Sequence, residues 1–101
     1  MTRILILCTG NSCRSQMAEG FLKSIDRHLV VHSAGTNPSG EIHSKAVQVM
    51  NEIGIDISQS NPKNVSQFLK QPFDYVITVC GSAKETCPVF SGEVNQNLHI
   101  G

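Results

Sequence analysis

The chain has 101 residues, with eight basic and eight acidic side chains and no net charge. That is one small domain, expected over residues 1–101, and without a basic stripe any anion must be held locally, which argues against nucleic acid or a membrane as partner. The opening apolar run, Ile4 to Leu7, is too short for an export signal or a membrane span, so a cytoplasmic protein is expected.

Arg3 to Cys8 (RILILC) is an aliphatic run of strand length, as in a central parallel strand buried on both faces. From Cys13 the period changes: Met17, Ala18, Phe21, Leu22 and Ile25 fall on one helical stripe, with Glu19, Lys23 and Asp26 pointing elsewhere. Leu29 to Ser33 reads as a second strand closed by a turn at Ala34 to Pro38. Ala46, Val47, Met50 and Ile53 predict a second helix stopped by Gly54, and Asn61-Pro62 predicts the start of a short third helix through Val65, Phe68 and Leu69. Phe73 to Val79 is a third buried strand, and a weaker one follows around Asn97 to Ile100. Strands alternating with helices argue an α/β fold on a parallel sheet.

The four cysteines are Cys8, Cys13, Cys80 and Cys87. With ample aliphatic residues for a core and no export signal, thiols are better read as catalytic, redox-active or metal-bound than as a disulfide framework. Zinc fits poorly. The two pairs are more widely spaced than the usual separations of about two to four residues, and Arg14 beside Cys13 repels a cation. The four histidines show no ligand spacing, so no metal is expected, nor any other cofactor.

Between the first strand and the first helix lies the stretch Leu7 to Gln16 (LCTGNSCRSQ). Ligands of open parallel sheets bind beyond the carboxyl ends of the strands, and here Cys8 ends the strand while the helix begins near Ser12 or Cys13. Gly10 and Asn11 tolerate the left-handed dihedrals needed for a ring of convergent amides, so the backbone of Thr9, Gly10, Asn11, Ser12, Cys13 and Arg14 can cradle a tetrahedral oxyanion. The Arg14 fork holds two of its oxygens, and the same positive environment favours the Cys8 thiolate. Ser15, one helical turn away, can donate its hydroxyl hydrogen to that sulfur. Cys8 attacks and Arg14 clamps. The competing reading is a plain strand-to-helix connection with two small buried cysteines.

The segment Leu7 to Gly20 (LCTGNSCRSQMAEG) closely resembles thioredoxin-coupled arsenate reductases, a branch of the low-molecular-weight protein tyrosine phosphatase fold. Further matches are His32 to Gly35 (HSAG), Ile53 to Ser58 (IGIDIS) and Val79 to Pro88 (VCGSAKETCP). The resemblance implies a three-layer αβα architecture with a four-stranded parallel sheet. It implies a thiol relay: Cys8 attacks arsenate, Cys80 attacks Cys8 and releases arsenite, and Cys87 takes over Cys80 for reduction by thioredoxin. It also gives Asn11 and Ser33 a loop-supporting role, the Ser33 hydroxyl reaching the Asn11 side chain, and leaves Cys13 outside the relay.

The chain departs from that pattern in two places. Family members carry an Asp-Pro motif with a general acid after the last strand, then a C-terminal helix. Here the sequence stops at Gly101, so a C-terminally incomplete domain with weak turnover and an exposed apolar sheet face is expected. Some members also offer an acidic residue to a monovalent cation beneath the loop, beside the positions of Asn11, Glu19 and Ser33. This chain has Lys63 there, which fills that role or abolishes it.

Two other functions remain open. A low-molecular-weight tyrosine or arginine phosphatase uses the same loop and finishes with water, but such loops carry proline where this chain has Gln16. A non-catalytic oxyanion-binding or redox-sensing module is the third.

Overall fold

The computed structural model describes residues 2–11, 13–38, 40–79 and 94–100. In chain order the elements are β1 (Arg3–Cys8), α1 (Arg14–Ile25), β2 (Val30–Gly35), α2 (Ser44–Glu52), a 3-10 turn (Val65–Phe68), β3 (Phe73–Val79) and β4 (Val94–Ile100). All strand pairs are parallel in a four-stranded sheet of order β2-β1-β3-β4. The register pairs Arg3 with Val30 through Cys8 with Gly35, and Ile4 with Tyr75 through Leu7 with Thr78. The carboxyl ends of β1, β2 and β3 therefore meet at one edge.

Each apolar run does what its pattern requires. Leu5, Leu7, Ala34 and Val76 face one side of the sheet with Phe68 of the 3-10 turn, while Ile4, Ile6 and Val31 face α1 through Ala18 and Leu22. Helix α2 stacks on α1 instead of on the sheet, joining Ala46, Met50 and Ile57 to Cys13 and Met17. It ends on a left-handed Gly54 (φ 80°), with Gly54 N–H donating to Asn51 O and Ile55 N–H to Met50 O. That double bond over a glycine satisfies the last carbonyls of the helix.

Four expectations are corrected. Strand β2 runs on to Gly35, whose N–H donates to Lys63 O at 2.8 Å, and β4 starts at Val94, which pairs with Phe73. The third helix is only a 3-10 turn, capped by Asn64 rather than Asn61; the Asn64 side chain accepts from Ser66 N–H at 2.9 Å. Glu19 does not point to solvent but is buried, whereas Phe21 and Ile25 of the apolar stripe are exposed. An open apolar groove of about 460 Å³ runs between the helices and the sheet, bounded by Phe21, Val49, Ile53, Ile6, Ile77 and Val79. No helix among the described residues is long and apolar enough to cross a membrane.

Candidate active site

Cys8 is the last residue of β1, and its sulfur is buried under the loop that follows. The Asn11 main-chain N–H donates to Cys8 Sγ at 3.0 Å, and Ser15 Oγ lies 2.9 Å from the same sulfur. The neighbours fix which way the Asn11 amide faces Ser15. Lys63 N–H can only donate, so the atom it reaches at 2.7 Å is Asn11 Oδ1, and Asn11 Nδ2 is then the atom 2.9 Å from Ser15 Oγ. Ser15 Oγ accepts that bond and keeps its own hydrogen, which it donates to Cys8 Sγ when the sulfur is a thiolate, since a thiolate only accepts. The Asn11 amide and the Ser15 hydroxyl are thus both within hydrogen-bond reach of the sulfur.

The loop earns this geometry through one left-handed residue, Asn11 at φ 50°, which turns its amide back toward the sulfur. Asn11 is completely buried, as are Ser15 and, nearly so, Gln16. Helix α1 begins at Arg14 on an N-cap, Cys13, whose own side chain makes no capping bond. Arg14 is exposed at the helix start, and the Cys13 side chain packs against the cluster around Met50 and Ile57. Cys8 and Cys13 are free thiols.

Ser33 is fully buried beneath the loop, but its Oγ has no hydrogen-bond partner among the described residues. It does not bond Asn11, whose polar side-chain atoms are taken by Ser15, Gln16 and Lys63.

Behind the loop, the Glu19 carboxylate lies 3.3 Å from Lys23 Nζ and 3.9 Å from Lys63 Nζ, and Lys63 Nζ also donates to Asn61 O at 3.1 Å. Lys63 thus places an ammonium beside the buried acid. No cluster of His, Cys, Asp and Glu fit for a metal occurs among the described residues. Ser12, Cys80 and Cys87 lie outside them, and so does the side chain of His99. Of the other histidines, His43 caps α2 by accepting from Lys45 N–H, and His32 stacks at 5.1 Å on Phe68.

Sequence reasoning missed the part Gln16 plays behind the loop. Gln16 Nε2 donates to Asn11 O, Asn11 Oδ1 and Asn61 O at 3.1, 3.2 and 3.0 Å. The signal was present as three polar residues, Ser15, Gln16 and Glu19, at adjacent and one-turn spacing on a helix whose start faces the loop.

Residues 3–100 match the family described as low molecular weight phosphotyrosine protein phosphatase. The chain belongs to this family. Within it, the chain is 49% identical over 99 residues to an arsenate reductase of Halalkalibacterium halodurans, covering 97% of this chain and 70% of that one. The fold is similar to a solved arsenate reductase in the phosphate binding state, at TM-score 0.83 and 34% identity over 99% of this chain and 76% of that one. It is also similar to the thioredoxin-dependent arsenate reductase Cg_ArsC1' of Corynebacterium glutamicum, at TM-score 0.74 and 30% identity over 99% and 49%. This family member therefore shares the four-stranded parallel fold of these arsenate reductases.

Proposed function

We propose that this chain reduces arsenate to arsenite by a three-cysteine relay renewed by thioredoxin. The Cys8 thiolate attacks the arsenic of a docked arsenate, and one hydroxyl of the arsenate takes up a proton from solvent and leaves as water, giving a sulfur-bound arsenic(V) ester. Cys80 attacks Cys8 Sγ; the sulfur–arsenic pair of electrons stays with arsenic, arsenite departs, and a Cys8–Cys80 disulfide remains. Cys87 displaces Cys8 from Cys80, and thioredoxin supplies two electrons and two protons to the Cys80–Cys87 disulfide.

The observation that carries this reading is the Cys8 sulfur receiving the Asn11 amide and the Ser15 hydroxyl at the start of α1. The amides of Thr9 to Arg14 cradle the oxyanion and the Arg14 guanidinium clamps it. Similarity to one relative solved with phosphate and to another that depends on thioredoxin supports the oxyanion and the reductant. The strand register supports the first exchange, since β1 and β3 end together and Cys80 follows Val79 directly.

The family description favours one competing reading, a phosphatase in which water releases phosphate from Cys8. Peptide mass mapping after arsenate and limited reductant separates the two. A Cys80–Cys87 disulfide is expected. Hydrolysis of an aryl phosphate that survives Cys80→Ser, with no disulfide after arsenate, would overturn the reductase; a disulfide formed with peroxide alone and no turnover would indicate the sensor.

A further inference from the structure

We propose that Gln16 is a positioning residue for the nucleophile: its carboxamide fixes the Asn11 backbone and side chain in the orientation that turns the Ser15 hydroxyl onto Cys8 Sγ. This rests on reading Cys8 as the reacting thiolate.

Gln16 Nε2 faces two main-chain carbonyls, Asn11 O and Asn61 O, which only accept. The nitrogen is therefore the inward atom, and the same group reaches Asn11 Oδ1 at 3.2 Å. Asn11 Oδ1 is thus pinned from two sides, by Gln16 Nε2 and by Lys63 N–H. With the oxygen held there, Nδ2 is directed at Ser15 Oγ, and the Ser15 hydrogen is directed at the sulfur. Gln16 also braces the left-handed Asn11 backbone through its carbonyl, and the N–H of that same residue is the other donor to Cys8.

A second observation shows what the side chain is for. Gln16 is only 1% exposed, and its Oε1 has no hydrogen-bond partner among the described residues. Burying an unpaired acceptor is unfavourable, and an apolar side chain of similar volume would avoid it. The fold keeps the amide for its donor half, which serves three acceptors around the loop.

The test is alkylation of Cys8 by iodoacetamide across pH, read by peptide mass mapping, in the full chain and in Gln16→Met, Ser15→Ala and the double variant. The profile of Gln16→Met is expected at higher pH by roughly half a unit, about threefold slower alkylation near neutrality. Ser15→Ala moves it the same way, and adding Gln16→Met to Ser15→Ala moves it by less than Gln16→Met does alone, because part of the effect runs through Ser15 and only the rest through the Asn11 amide. A Gln16→Met profile superimposed on that of the unchanged chain, or a displacement fully additive with Ser15→Ala, overturns the proposal. A residue that merely filled space would lower the urea midpoint and leave the profile in place. If the unchanged chain reacts like free cysteine, the reading of Cys8 itself fails. If Gln16→Met does not fold, the unchanged chain decides: the Gln16 side-chain amide resonances must move in step with the Cys8 profile, and fixed resonances overturn the proposal.

Discussion

The Cα of Gly35 lies against the backbone of Thr9 so closely that a methyl group on it would stand 2.3 Å from Thr9 O and 3.1 Å from Asn11 N. Gly35 is not in a left-handed conformation; what it provides is room for the loop to rest on the end of β2. There Thr36 N–H donates to Cys8 O and Asn37 N–H to Thr9 O.

Gly35→Ala is accordingly expected to displace the loop, since the neighbours are main-chain atoms that cannot rotate away. We expect a loss of stability of about 1–3 kcal/mol and loss of protection of Cys8 from alkylation by phosphate or arsenate. Urea denaturation and the protection assay check both; wild-type protection in a folded Gly35→Ala would refute the contact.

Lys63 has two separable roles. Its N–H orients Asn11, and its ammonium faces the buried Glu19 carboxylate. Lys63→Ala retains the first and removes the second, leaving Lys23 as the remaining ion-pair partner of Glu19 among the described residues, and should destabilise by roughly 1–2 kcal/mol. Lys63→Asp is expected to make the urea midpoint rise when potassium replaces a bulky organic cation, while the unchanged chain shows no such rise. Equal potassium responses in both would refute the tethered-ammonium reading.

His32 sits between Phe68 and Phe73, at ring separations of 5.1 and 6.3 Å. Burial lowers its pKa below the ordinary 6.5, opposed by Glu19 and reinforced by Arg3, Lys23 and Lys63. The unfolded chain therefore takes up a proton at higher pH than the folded one, and folding stability falls as pH drops below about 6.5, levelling off once the folded histidine is protonated. His32→Gln should flatten that part of the stability curve in urea titrations. An unchanged slope would remove His32 as its source.

The groove beside α1 and α2 exposes Phe21, Val49 and Ile53 by about half of each side chain. Phe21→Glu with Ile53→Glu should reduce binding of a hydrophobic dye severalfold and suppress concentration-dependent light scattering. Stability should change by no more than about 0.5 kcal/mol per site, as at ordinary surface positions. Dye binding unaffected by both changes would place the apolar surface elsewhere.

Local pattern carried much of the fold. RILILC and FDYVITV are apolar enough to be central strands wherever they sit, and the stop at Gly54 follows from its left-handed geometry. Cys8 and Asn11 were legible because few residue types suit a thiol at a strand end and a left-handed turn. What escaped was set by distant partners. Asn61-Pro62 looks like a helix start, but Asn61 O is engaged by Gln16 and Lys63, so the turn begins at Asn64 instead. Glu19 reads as a surface residue on a helical wheel, but it is buried with Lys23 one turn on and Lys63, far along the chain, both beside its carboxylate. Ser33 lies where a loop-supporting serine is expected, yet Asn11 already has other partners for its oxygen and nitrogen.

Asn11 and Lys63 are 52 positions apart in the chain. A nascent N-terminal fragment can contain the whole of LCTGNSCRSQ without the Lys63 main chain that orients Asn11, so the loop acquires this brace only once the later segment has been made.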